Sequence, residues 1–186
     1  MTLSIQDGIM ESKDLRIFVV EDNLSDVLLI QEALNARGIQ AKLQIAVEGE
    51  RAMQDLAAMG LADVPHLIIV DLNLPRVNGL QLLRAIRRNL KFTATPVMVL
   101  TSSRSSQDRV EAEKLGATAY VSKPGSLDEF LGHVGETIQR LLANRAADAA
   151  FRRGARREHR FPTIRRHAIP RCARPPAGSR RAARRA

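Results

Sequence analysis

The chain has 186 residues, 45% of them hydrophobic and 3% aromatic, with a formal net charge of +9 and one cysteine. That length suits one domain with an appendage, the lone Cys172 excludes an internal disulfide framework, and no apolar run approaches the ~20 residues of a membrane span. The charge is unevenly placed: residues 1–144 carry 15 Lys and Arg against 18 Asp and Glu, whereas residues 145–186 carry 14 Arg against 2 acids, so a mildly acidic body precedes a basic tail.

Residues 1–14 are polar and aperiodic and are expected to form a loose leader. They lack the basic start and apolar stretch of a secretory signal, which with the single cysteine points to the cytoplasm. From Leu15 short β-rich runs alternate with helical patterns. Strands are expected at Leu15–Val20, Lys42–Val47, Leu67–Asp71, Val97–Leu100 and Ala119–Ser122, three of them nearly continuous Val, Ile and Leu, as in strands covered on both faces.

Between them the apolar spacing turns helical. Leu24, Val27, Leu28 and Leu34 mark a first helix, started by Asn23 or Ser25 and stopped at Gly38. Met53, Leu56 and Ala57 mark a second, ending near Gly60, and Leu80, Leu83, Ile86 and Leu90 a third after Gly79. A weakly amphipathic fourth runs from Ser105 or Ser106 to Leu115 and stops at Gly116. The fifth opens on a Ser126-x-x-Glu129 capping box and repeats Leu127, Phe130, Val134, Ile138 and Leu141. Gly132 and Gly135 inside it each cost about 1 kcal/mol relative to Ala, so that helix needs docking. Five β–α alternations predict an α/β fold: a doubly wound, five-stranded parallel sheet of order 2-1-3-4-5, flavodoxin-like, with helices on both faces. Ligands of such a sheet sit at the carboxyl ends of strands 1 and 3.

Four strands end on polar groups: Glu21 and Asp22 after the first, Asp71 after the third, Thr101 after the fourth and Lys123 after the fifth. Three carboxylates brought together repel, which favours protonation or a bound cation. Hard oxygen ligands suit Mg²⁺, and no His or Cys stands in these runs to suggest zinc. Asp71, inside the cluster, is the candidate nucleophile for a phosphoryl group, with Lys123 as counter-charge, Thr101 as a hydroxyl able to follow an added oxygen, and the small Ser102 leaving room for it. Each group has a plainer use alone: Glu21 and Asp22 at a helix start, Asp71 in an Asx turn, Thr101 as a cap, Lys123 in solvent. Their conjunction in order at four of five strand ends favours the chemical reading.

These residues give the chain its resemblance to the receiver domain of two-component response regulators. The acidic pair Glu21-Asp22, Asp71, Thr101 and Lys123-Pro124 stand at the family's positions, and Tyr120 stands where the family has its switch aromatic. More narrowly, EDNLSDVLLIQEAL and DLNLPRVNG resemble the stand-alone receivers that accompany bacterial phytochrome-type histidine kinases. The resemblance covers 15–142 and implies a single-domain response regulator in a phosphorelay: a phosphoacceptor signalling protein, with no catalysis beyond its own phosphotransfer and dephosphorylation. It implies Mg²⁺ held by Asp22, Asp71 and the Asn73 backbone carbonyl, with Glu21 acting through water, and a cis Lys123–Pro124 peptide. It implies a histidine kinase as partner, of the phytochrome kind on the narrower likeness. It makes Thr101 and Tyr120 the switch, Asn73 and Ser103 tuners of phosphoryl lifetime, and the face of helix 4, strand 5 and helix 5 both the responsive surface and a candidate homodimer contact.

Residues 143–186, rich in Arg, Ala and Pro, show no sustained period and are expected to be a disordered basic tail. The alternative function is a receiver-controlled nucleic-acid-binding protein acting through that tail, although it lacks interleaved aromatics and any helix-turn-helix pattern. Its composition also resembles out-of-frame translation of GC-rich DNA. A flavin- or nucleotide-binding protein on the same sheet would need a phosphate loop where Glu21-Asp22 stand. A haloacid-type phosphatase would need its nucleophile after strand 1.

Overall fold

The computed structural model describes residues 15–158. Five strands, β1 (Arg16–Val20), β2 (Lys42–Ala46), β3 (Leu67–Val70), β4 (Val97–Thr101) and β5 (Ala119–Ser122), form one parallel sheet in the order β2-β1-β3-β4-β5. The helices between and after them are α1 (Leu24–Ala36), α2 (Gly49–Ala58), α3 (Gly79–Arg88), α4 (Ser106–Lys114) and α5 (Leu127–Glu158). The expected fold class and strand order are the observed ones.

Alternation along the strands builds two cores. Phe18, Val20, Ile68, Val70, Val97 and Val99 face α2, α3 and α4, meeting Ala52, Leu56, Leu82, Leu83, Ile86 and Ala112. Ile17, Val19, Leu67, Ile69, Met98, Leu100 and Val121 face α1 and α5, meeting Ile30, Leu34, Phe130, Val134, Ile138 and Leu141. The central strands β1, β3 and β4 are therefore apolar on both faces, because both faces are covered. The outer strand β2 is mostly exposed and ends at Ala46, leaving Val47 outside it.

Side-chain caps set the helix starts. Asn23, rather than Ser25, caps α1 by accepting from the Ser25 N–H, Asn78 caps α3 by accepting from Leu80, and Ser105 caps α4 by accepting from Asp108. Ser126 accepts from the Glu129 N–H at 3.3 Å, as expected of the capping box. Gly38 and Gly116 take φ of 66° and 92°, the left-handed geometry that stops α1 and α4.

Several expectations are corrected. Leu24 and Leu28 are 64% and 62% exposed, because α1 turns Val27, Ile30, Ala33 and Leu34 to the sheet. Leu90 is outside α3: the Asn89 N–H donates to the Ile86 carbonyl where that helix ends, the Asn89 side chain starts a 3₁₀ turn by accepting from the Lys91 N–H, and Phe92 fills the core instead. Leu127 is exposed, whereas Phe130 is core. The Lys123–Pro124 peptide is trans, the isomer that X-Pro bonds favour by about 0.5–1 kcal/mol.

The largest correction concerns α5, which continues past Leu142 to Glu158. Ala143, Ala146, Ala147, Ala149 and Ala150 are the strongest helix formers, so propensity carries the helix where amphipathicity ends. Arg145 also anchors it, donating to the Pro65 carbonyl at the opposite end of the sheet from the carboxylates. Residues 1–14 and 159–186, which include Cys172 and most of the basic tail, lie outside the described residues. Within α5, Gly135 has a use that its propensity cost concealed: a Cβ there would lie 2.9 Å from the Ala33 carbonyl oxygen, so its absence lets α5 close on α1.

Candidate phosphoacceptor site

Backbone hydrogen bonds extend past the strand ends and bring the polar groups together. The Glu21 N–H donates to the Ala46 carbonyl, the Asp71 N–H to Val20 at 3.0 Å, and the Lys123 N–H to Thr101 at 2.8 Å. Glu21 and Asp71 are consequently buried, and Asp22, at the rim, is exposed. Carboxylate oxygens of Glu21, Asp22 and Asp71 lie within 4.8 Å of one another, so the three expected acids do converge.

Lys123 closes the cluster. Its Nζ donates to Asp71 Oδ2 at 2.6 Å, Glu21 Oε2 at 2.8 Å and Asp26 Oδ2 at 2.8 Å. The other Asp71 oxygen, Oδ1, accepts from the Asn73 N–H at 3.0 Å, and Glu21 Oε1 accepts from the Asn23 N–H at 3.2 Å. Burial pushes the Glu21 carboxyl up to about 7, and the favourable Lys123 contact only partly offsets it. Burial alone would lower the Lys123 pKa, but its bonds to Asp26, Asp71 and Glu21 outweigh burial and hold it above the ordinary lysine value.

The switch candidates form a second group beside the first. Thr101 is fully buried at the end of β4, and its hydroxyl accepts from the Ser103 N–H at 3.2 Å. Ser103 bonds Asp108 through its hydroxyl, and its carbonyl accepts from the Tyr120 hydroxyl at 3.3 Å. The Arg109 guanidinium lies 4.7 Å from the centroid of the Tyr120 ring. Ser102 is exposed beside this group.

Two residues of this region were not singled out from sequence. Asp26 reads as an acid in the first turn of a helix, and nothing local distinguishes it from a residue serving the helix dipole. Gly79 starts α3 directly against the phosphoacceptor loop: a Cβ there would lie 2.2 Å from the Asp71 carbonyl oxygen and 2.6 Å from Leu72 Cα. The signal for it was the Asn-Gly step before a helical pattern, which announces a turn but not the close approach.

The arrangement offers a buried nucleophilic carboxylate, a hard-oxygen trio and a lysine counter-charge at one sheet edge. Among proteins of known identity, similar chains include the response regulator Rcp1 of Synechocystis sp., 34% identical over 117 residues that cover 61% of this chain and 80% of that protein. A probable methanogenesis regulatory protein, FilR2, of Methanothrix harundinacea is 31% identical over 134 residues, 70% of this chain and 86% of that protein. The solved structure of a phosphorylated cyanobacterial phytochrome response regulator, RcpA, aligns with a TM-score of 0.62 at 30% identity, covering 69% of this chain and 94% of that one. The Mn²⁺-bound form of Rcp1 aligns with a TM-score of 0.60 at 33% identity, covering 66% of this chain and 90% of that one. Residues 17–135 match the family described as the response regulator receiver domain, and since that match covers more than half of the chain and every strand end of the site, the chain belongs to that family.

Proposed function

We propose that this receiver accepts a phosphoryl group from a histidine kinase onto Asp71 and relays the event to the face formed by α4, β5 and α5. The observation that carries the reading is the buried Asp71 carboxylate, held from two sides by Lys123 Nζ and the Asn73 N–H within the acidic trio. In the transfer, an Asp71 carboxylate oxygen supplies the electron pair of the new O–P bond. The N–P bond of the donor phosphohistidine breaks with its pair left on the imidazole nitrogen. Lys123 supplies positive charge beside the acceptor, and burial keeps water from competing with it.

The trio also fits a divalent cation. It presents hard oxygens at close range, and burial holds the Glu21 pKa up in spite of Lys123. Glu21, Asp22 and Asp71, with the Asn73 carbonyl, are the residues assigned to hold Mg²⁺, which when bound offsets negative charge on the phosphoryl oxygens. The Mn²⁺-bound relative supports a divalent ion at such a site.

Thr101 is the hydroxyl placed to follow an added oxygen. Its bond to Ser103 links it to the carbonyl that holds Tyr120, so a shift at Thr101 reaches the β5 face. Val110 and Leu127, exposed by 47% and 55%, are apolar contacts that this face offers to a second copy. A phytochrome-type kinase is the donor this reading favours, because RcpA is a phytochrome response regulator and a response regulator in red light signalling of R. palustris, 26% identical, aligns with a TM-score of 0.58. Incubation with a ³²P-phosphorylated histidine kinase and Mg²⁺ is expected to label the wild type and leave Asp71→Asn unlabelled. Label on Asp71→Asn at the wild-type level would refute the assignment, and faster transfer from kinases unrelated to phytochrome would refute the choice of donor.

A further inference from the structure

Lys123 is a three-donor ammonium with three carboxylate partners, and those partners are not equivalent. Glu21 and Asp71 belong to the trio assigned to the divalent cation, whereas Asp26 lies outside it. Asp26 stands on a rigid support: it is in the first turn of α1, and its Oδ2 also accepts from Asn23 Nδ2 at 3.2 Å. Asn23 is in turn fixed as the cap of that helix.

We infer that Asp26 is a positioning residue for Lys123, an anchor that holds the ammonium beside Asp71 when the oxygens of Glu21 and Asp71 are engaged by a cation or an incoming phosphoryl group. This rests on the reading of Asp71 as phosphoacceptor. A lysine stem has four rotatable carbons, and an ammonium stripped of two of its three partners turns towards water unless the third holds it. Asp26 is that third partner, placed on a different element from Asp71. It touches neither the trio's shared centre nor the reacting oxygen, so it acts through Lys123 alone.

The test uses the full chain, ¹⁵N-labelled, with the Lys123 ammonium resonance assigned by its loss in Lys123→Ala. In the wild type that resonance is expected to stay protected from water exchange both without Mg²⁺ and at saturating Mg²⁺. In Asp26→Asn it is expected to be protected without Mg²⁺ and to exchange at least 10-fold faster with it. Uptake of phosphoryl from acetyl phosphate at saturating Mg²⁺ should slow about 10-fold in Asp26→Asn, with no further loss in the double variant over Lys123→Ala. Loss of protection in the wild type on adding Mg²⁺ overturns the inference whatever the variant does. So does a protected ammonium in Mg²⁺-saturated Asp26→Asn, or an uptake rate within twofold of the wild type. If the wild type itself takes no label at Asp71, the phosphoacceptor reading fails, while the ammonium measurement still decides whether Asp26 anchors Lys123.

Discussion

Glu21 gives the sharpest stability prediction, because its folded-state pKa of about 7 stands well above its ordinary value of 4.5. The folded chain therefore binds more protons than the unfolded chain between those values. The stability that Glu21 contributes is complete below pH 4.5, and it is lost as the pH rises through 7. At about 1.4 kcal/mol per pH unit, ionised Glu21 costs the metal-free fold about 3 kcal/mol at pH 8. Glu21→Gln removes that charge. It also places an amide N–H₂ opposite one of two donors, the Asn23 N–H or Lys123 Nζ, and so gives up about 1 kcal/mol of hydrogen bonding. The expected balance is a variant about 2 kcal/mol more stable than the wild type at pH 8 in EDTA, or about 4–8 °C in Tm. At pH 4.5 the order should reverse, with the variant slightly the weaker. Thermal melts followed by circular dichroism across pH 4.5–8 check both halves, and saturating Mg²⁺ at pH 8 should stabilise the wild type more than the variant. A stability difference that does not change with pH, or a wild type that remains the more stable at pH 8 in EDTA, would show that burial does not dominate at Glu21.

Gly79→Ala forces a Cβ into the Asp71 carbonyl and should cost about 1–3 kcal/mol in urea melts, and slow phosphoryl uptake at least 10-fold by displacing the loop that carries Asp71. Arg87 donates to the carbonyls of Gly116, Phe92 and Thr95 and to Thr118 Oγ1, so Arg87→Ala should cost about 2–4 kcal/mol; Arg87→Lys should recover little in the same melts, because one ammonium cannot span that set. Arg145→Ala removes the anchor of the extended α5 and should cost about 1 kcal/mol, with faster amide exchange in residues 143–150, whereas the exposed Arg140→Ala should stay within about 0.5 kcal/mol of wild type.

The strand ends were legible because each follows an apolar run whose length fixes where the chain leaves the sheet. Glu21, Asp71, Thr101 and Lys123 thus acquire their places from local pattern plus one topological rule. Asp26 is different in kind. Its bond to Lys123 joins residues 97 apart in sequence, and it depends on how α1 lies against the end of the sheet, which no local pattern states. The same distinction explains α1, where Leu24 and Leu28 match the helical period but fall outside the arc that finds a partner in the sheet. It also explains α5. Its Arg- and Ala-rich composition carries no amphipathic signal, and the partner that fixes Arg145, the Pro65 carbonyl, is 80 residues away.

Four carboxylates, those of Glu21, Asp22, Asp26 and Asp71, share this edge with one ammonium. With all of them ionised the edge is strongly negative, and an incoming phosphoryl group is negative as well. The site as folded therefore opposes the group it is read to receive, and only added positive charge removes the opposition. The cost of about 3 kcal/mol at Glu21, set first by its burial and raised further by Asp71, is borne by the fold at neutral pH. A cation that binds the folded chain and not the unfolded one recovers it, so metal affinity and stability are linked through the same carboxylates. Lys123 cannot replace the cation, because three of the four acids already hold it. Acceptance at Asp71 is thereby made conditional: the lysine fixes the geometry, and the missing charge must come from outside the chain.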